Sequence, residues 1–171
     1  MRKFSVFSYA TLPITVVLFI LILCSKTFAE GKKPFSQWPS VENKIQGLKF
    51  IVAETPELAH QGFCGASSKE FQNTIIWFPH INEGTIFVNA NPGFGTVNQD
   101  IQIVFLDRNW LVLEIKTMES KTGTAIAPKN TCSSIEGISD AIKKLRFEKG
   151  KPAPFRIIKS EKKYFFVFHT R

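Results

Sequence analysis

The chain has 171 residues, 44% of them hydrophobic and 21% charged, and a formal net charge of +8. That length and apolar content support one compact core and exclude a wholly disordered chain. Three Cys exclude both a disulfide-dense mini-scaffold and a four-Cys zinc site.

Residues 1–29 read as a secretory signal peptide. Arg2 and Lys3 make a basic start and residues 4–24 carry no charge. The most apolar part is 12–24, and Thr27-Phe28-Ala29 places small Ala29 at a cleavage site. Leu23 before Cys24 does not suit a lipoprotein signal, which needs a small residue there. An uncleaved N-terminal anchor is the alternative, because residues 4–24 are long enough to cross a bilayer. Bases on both sides (Arg2 and Lys3, then Lys26, Lys32 and Lys33) leave the orientation open. In either case the remainder is expected outside the cytosol: periplasmic or secreted, or anchored at the inner membrane. Membrane contact is expected only through an uncleaved N-terminal segment. Removing residues 1–29 takes away Arg2, Lys3 and Lys26 and no acid, which leaves +5.

Residues 30–44 (EGKKPFSQWPSVENK) are polar with two Pro and read as a linker or N-terminal arm, ahead of a single globular domain over 45–171. Residues 45–53 (IQGLKFIVA) read as a first strand. Thr55-Pro56-Glu57 opens a helix: a capping hydroxyl, a Pro at the first helical position, and an acid at the positive helix end. Leu58 and Gln61 continue that helix and Gly62 and Gly65 end it. Strands are expected at residues 74–78 (TIIWF), stopped by Pro79, and at 85–89 (TIFVN). Residues 101–106 (IQIVFL) and 110–116 (WLVLEIK) form a hairpin across Asp107-Arg108-Asn109. In residues 134–145 (SIEGISDAIKKL), Ile135, Ile138, Ala141, Ile142 and Leu145 recur every three or four positions, which predicts an amphipathic helix. Residues 155–158 and 164–168 close the chain as a hairpin across a charged turn at 159–163. Short strands with one or two short helices predict an α+β domain. Its sheet would be compact and mainly antiparallel, or a partly closed barrel.

Little in this sequence is dedicated chemistry. No nucleophile elbow, phosphate loop or dinucleotide fingerprint is present, so no cofactor is expected. His60, His80 and His169 lack metal-site spacing, and no metal is expected. The Lys and Arg excess, including Lys143, Lys144, Arg146, Lys149, Lys151, Lys159, Lys162 and Lys163, reads as a solvated basic face. No aromatic-interleaved basic motif suggests nucleic acid as a partner. Cys24 would leave with the signal, so Cys64 and Cys132 become a disulfide candidate in an oxidising compartment, with two separate thiols as the alternative. Closing that loop would stabilise the fold by roughly 4 kcal/mol on chain-entropy grounds. The carboxylates Glu54, Glu57, Glu70, Asp100, Asp107 and Glu114 could include a catalytic pair, but their spacing selects none. The most unusual stretch is 89–100 (NANPGFGTVNQD), rich in Asn and Gly between two strands. It is the expected binding loop. Asn89, Asn91 and Asn98 would supply hydrogen bonds and Phe94 an apolar contact, with Asp107 at the neighbouring turn as a further candidate.

From Thr55 onward the order of motifs resembles a secreted or periplasmic bacterial family known as domain of unknown function 192. The residues concerned are Thr55-Pro56-Glu57, Ala59, Gly62-Phe63-Cys64 and then Thr74-Ile75-Ile76-Trp77-Phe78-Pro79. Ile103-Val104-Phe105-Leu106-Asp107 is similar to the family's Asp-Ile-Val-Phe-Leu-Asp strand, and Val112 to Ile115 with Met118 to the strand after it. Ile135-Glu136-Gly137 and Lys149-Gly150 are faintly similar to its closing elements. The likeness spans about residues 48–158. It is that of a divergent member: Asn89 and Ala90 stand where the family has Lys and Asn, Gln102 where it has Asp, and Ala66 where it commonly has Arg. The resemblance implies a compact α+β, barrel-like fold and lends no reaction. The function expected is an exported, non-enzymatic domain that binds a ligand or an envelope protein partner. The alternatives are an envelope hydrolase or glycan-modifying enzyme using a carboxylate such as Asp107 or Glu57, and a structural accessory of an envelope complex.

Overall fold

The computed structural model describes residues 32–168. The signal-peptide or anchor reading of residues 1–29, and His169, fall outside the described residues. The chain runs through a 3-10 turn (Phe35–Gln37), β1 (Lys49–Val52), α1 (Pro56–Gln61), α2 (Ser68–Phe71) and β2 (Thr74–Phe78). Next come β3 (Ile86–Val88), β4 (Ala90–Asn91), β5 (Gly95–Thr96), β6 (Ile101–Leu106), β7 (Val112–Met118) and β8 (Thr124–Ile126). It ends with β9 (Ser133–Ile138), α3 (Ser139–Leu145), β10 (Phe155–Ser160) and β11 (Lys163–Phe168).

The result is an α+β fold dominated by antiparallel pairing. A five-stranded sheet in the order β1-β2-β9-β6-β7 forms its centre, flanked by the two-stranded pairs β3-β8, β4-β5 and β10-β11. Within the large sheet β1 and β2 run parallel, joined through α1 and α2, and the other pairs are antiparallel. Its outer strands β1 and β7 do not pair with each other, so the sheet is not a closed barrel.

Period-two alternation splits the side chains of this sheet between two apolar layers. Ile51, Ile76, Phe78, Ile103 and Phe105 point into the first, which Phe35, Trp38, Phe63, Phe71 and Phe87 complete. Phe50, Val52, Ile75, Trp77, Val104, Leu106 and Ile135 point into the second, covered by α3 and by Phe155, Ile157 and Tyr164 of the last hairpin. The stretch expected as a linker or arm contributes here, because Phe35, Trp38 and Val41 are buried. Gln61 ties it down: Lys33 N donates to Gln61 Oε1, and Gln61 Nε2 donates to the Lys33 carbonyl, both at 2.9 Å.

One expected element is corrected. Residues 134–145 do not form one helix; the first half is β9, buried between β2 and β6, and only Ser139–Leu145 is helical. The three- and four-residue spacing arises because Ile135 on the strand and Ala141, Ile142 and Leu145 on the helix all face the second layer. Gly137 marks the junction: a Cβ there would come within 2.5 Å of Ile75 Cδ1 and 3.3 Å of Ile142 Cδ1. The disulfide candidate is also not realised, and Cys64 and Cys132 are free thiols. They are fixed by different neighbours. Cys132 is held by hydrogen bonds from its N–H to the Leu106 carbonyl and from Ile81 N–H to its own carbonyl, whereas Cys64 Sγ lies 3.8 Å from the Val88 carbonyl.

Candidate functional site

The same alternation that sends Ile135 into the second layer sends Glu136 into the first. There it lines a cavity of about 390 Å³ between α1 and β3. Thr55 caps α1 with its hydroxyl accepting from Leu58 N–H at 3.4 Å, and Pro56 follows at the first position. Gly62 ends the helix at φ 46°, ψ −135°, with its N–H on the Leu58 carbonyl at 3.0 Å. That backbone conformation favours Gly, and the missing side chain leaves the cavity open at its acid. A Cβ at Gly62 would sit 3.7 Å from Glu136 Oε2 and 3.8 Å from Phe78 Cζ. Phe63, Phe78, Ile81, Phe87, Val97 and Ile101 make the apolar wall. Ile86 and Val88 also line it and stay 64% and 43% exposed.

Two polar groups in this wall lack protein partners. Glu136 is 4% exposed, and its carboxyl makes no hydrogen bond among the described residues. Burial alone pushes it from the ordinary 4.5 up to about 8, so it is mainly the neutral acid at pH 7. Asn89 is 1% exposed. Its Nδ2 donates to the Glu119 carbonyl at 2.6 Å and its N–H to the Gly123 carbonyl at 2.9 Å, which fixes the side chain. Its Oδ1 is buried without a partner. Cys64 faces the same cavity, and burial first, then the charge of Glu136, pushes its thiol up to about 11. Such a thiol carries little thiolate at neutral pH. At the mouth, Lys159 donates to Glu54, and that hydrogen bond holds the Glu54 carboxyl below its ordinary range. His60 and His80 complete the titratable lining.

Among the residues expected from sequence, Asn89 and Asn91 line the cavity. Asn91 Nδ2 donates to the His60 carbonyl at 3.2 Å, and its Oδ1 accepts from Gly93 N–H at 2.9 Å. The 89–100 stretch is therefore an ordered excursion containing the small β4-β5 pair. Val97 N–H donates to the Asn89 carbonyl at 2.8 Å. Phe94 packs half-buried against the first layer. Asn98 accepts from the Thr96 hydroxyl at 3.1 Å, and neither it nor Phe94 lines the cavity. Asp107 lies elsewhere, in a broader, more open hollow of about 1160 Å³ with Arg146, Lys151 and Arg156. Its Oδ1 accepts from Asn109 N–H and Leu111 N–H, both at 2.8 Å, so it caps its own hairpin turn. Glu57 accepts from the Thr55 hydroxyl at the exposed start of α1, which lowers its carboxyl. Glu136 was not among the acids that sequence reasoning put forward. In the helix expected over 134–145 it falls off the apolar positions and reads as solvent-facing, and only the placement of β9 between β2 and β6 buries it.

No family model matches the chain, and no curated protein matches it. Two solved structures are similar in backbone. A protein from Sinorhizobium meliloti described as a "putative transcription regulator" is 12% identical, with a TM-score of 0.49, covering 67% of this chain and 87% of that one. A protein of unknown function from Novosphingobium aromaticivorans is 14% identical, with a TM-score of 0.45, covering 67% of this chain and 92% of that one. Neither likeness bears on activity.

Proposed function

We propose that this chain is an exported, non-enzymatic binding domain of the cell envelope that takes a small ligand in the cavity between α1 and β3. The observation that carries the reading is Glu136, a buried acid with no hydrogen-bond partner among the described residues, in the otherwise mainly apolar wall of a cavity. A buried polar atom without a partner costs about 1–3 kcal/mol, and a bound ligand offsets that. The volume of about 390 Å³ is in the range of small-ligand sites. The reading retains the relation to the domain of unknown function 192 family, with the β3-β8 pair closing over the first layer as part of an incomplete barrel. Phe87 and Ala125, from its two strands, are both buried in that layer.

The test is a fragment titration of the isotopically labelled protein followed by amide NMR. Binders should perturb Gly62, Cys64, Asn89 and Glu136 together. Perturbations confined to the hollow beside Asp107 and Arg156 would refute the placement.

A second reading, carboxylate catalysis by an envelope hydrolase or glycan-modifying enzyme, draws support from Glu54 and the raised acid Glu136 lining one cavity. Against it stand the engagement of Glu54 by Lys159 and the largely protonated Cys64 thiol. Hydrolysis of envelope glycan by wild type and not by E136Q would decide for it.

A further inference from the structure

We propose that the outer face of the β10-β11 hairpin docks on an anionic lipid bilayer. Ile158, Phe165 and Val167 enter the headgroup boundary, and the lysines and arginines around them meet the lipid phosphates. This goes beyond the cavity reading and stands independently of it. It adds a second membrane contact to the N-terminal one expected from sequence.

The hairpin register places Arg156 opposite Val167, Ile158 opposite Phe165 and Ser160 opposite Lys163. Cross-strand partners share a face, as do alternate positions along a strand, so these six residues form one face. The other face, with Phe155, Ile157, Tyr164 and Phe166, packs on the second layer. An antiparallel sheet covered on one side ordinarily turns polar side chains to water on the other. Here the outward six include three large apolar residues, two bases and no acid. Ile158 and Val167 are 47% and 43% exposed, and Phe168 at the hairpin's open end is 59% exposed. An apolar stripe of this kind marks a surface that something covers.

Charge identifies the cover. Residues 143–168 carry nine bases and two acids, net +7, whereas residues 32–142 carry nine bases and eleven acids, net −2. The positive excess is thus confined to the end of α3, the loop after it and the last hairpin. Three of these bases are paired: Lys143 with Asp140, Lys159 with Glu54 and Lys163 with Glu42. Lys144, Arg146, Lys149, Lys151, Arg156 and Lys162 make no ion pair among the described residues. Arg146, Lys151 and Arg156 meet Phe155 and Phe168 in the hollow at the hairpin's open end, and Lys162 stands in its turn. Bases therefore flank the apolar stripe at both ends.

Size argues against a protein in this place. Two strands of six residues make a face of roughly 20 by 10 Å, about a quarter of the ~800 Å² per partner that a stable protein interface buries. A bilayer needs no such area, because it takes a few apolar side chains into its interface while anionic headgroups hold the bases. Each base near such a surface strengthens attachment about fivefold.

Tryptophan placed on the face reports insertion. Ile158→Trp and Val167→Trp, in the protein recovered from the envelope, are mixed with phosphatidylglycerol vesicles whose acyl chains are brominated. Ile86→Trp on exposed β3 is the control, since an N-terminal anchor would bring every position near the vesicle but insert none of them. Emission at 158 and 167 should shift to the blue and be quenched, and emission at 86 should not. The docked fraction read at 158 should fall at least about fivefold in K162Q/K163Q. It should fall at least about tenfold on phosphatidylcholine, or on raising salt from about 0.1 to about 0.5 M. Equal quenching at 86 and 158, no quenching at either hairpin position, or equal docking on phosphatidylcholine overturns the proposal. So does a doubling of the mass in solution that Ile158→Ser abolishes, which gives the face to a second copy of the chain. The two hairpin variants are independent, so either one that folds decides. None of these outcomes moves the cavity reading, which the fragment titration decides.

Discussion

Replacing Glu136 by Gln should stabilise the empty protein, by an amount that grows with pH. Folded Glu136 keeps its proton up to about pH 8, whereas the unfolded chain loses it near 4.5. Between those values the folded state binds the extra proton, so stability falls as pH rises, by about 1.4 kcal/mol per unit. The loss begins above 4.5, reaches about 3 kcal/mol by pH 7, and levels off near 4–5 kcal/mol once pH passes 8. Gln keeps the shape and has no proton to lose, so the variant lacks this term. Wild type and E136Q should therefore match within about 1 kcal/mol at pH 4.5 and diverge steadily above it, with a gap of roughly 10 °C in Tm at pH 7. Glu54, Glu57 and Glu70 shift in the opposite direction and weaken both proteins alike as pH falls, so they cancel in the difference. Urea unfolding of both proteins at half-unit steps from pH 4.5 to 8.5 gives the two curves. Parallel curves would mean that Glu136 is solvated or partnered in the folded state, and the account of the cavity given above would fail with it.

Four other outcomes follow from the geometry. Ala59→Leu, on α1 beside the cavity, should fill it, keep or raise Tm, and abolish binding of fragments that perturb Gly62 and Cys64; undiminished binding would move the site elsewhere. Gly137→Ala should cost about 1–3 kcal/mol in denaturant unfolding, because the added Cβ overlaps Ile75 and crowds Ile142 of α3. In timed alkylation Cys132 should react well before Cys64, whose thiol is buried and pushed up to about 11; equal rates would refute that environment. Protein recovered from the envelope should have the intact mass of a chain beginning after Ala29, and recovery of the uncut chain would instead support the anchor.

How much of this was legible beforehand depends on whether a signal was local. The helix start at Thr55-Pro56 and the hairpin around Asp107 were readable because cap, turn and strand pattern lie within a few residues of one another. The closing hairpin was legible for the same reason, with Glu161 taking the positive φ its turn requires. Residues 134–145 were misread because periodicity alone cannot distinguish one helix from a strand and helix that face the same layer. The loop at 89–100 was singled out by composition, which located Asn89 and Asn91. Composition could not separate them from Asn98, whose side chain binds Thr96 on the far side of the β4-β5 turn. Glu136 left no local trace, since its burial depends on β2 and β6, which are remote in sequence.

The two faces of the sheet differ in a way that bears on why the cavity persists. On the second face, large side chains meet directly: Phe50, Phe155 and Phe166 contact one another edge to face with centroids about 5 Å apart, and α3 closes the layer. On the first face three small residues, Ala53, Ala59 and Gly62, line the cavity together with Glu136 and with Phe87 and Val88 of β3. One larger apolar residue there would close the gap. A packing defect with no use would be expected to be dry and apolar, because a gap costs less when nothing polar is left exposed to it. Here instead the gap holds a buried acid, oriented by the pairing of β9 with β2 and β6. Such a combination carries a stability penalty for the empty protein, and a bound partner for Glu136 would remove it.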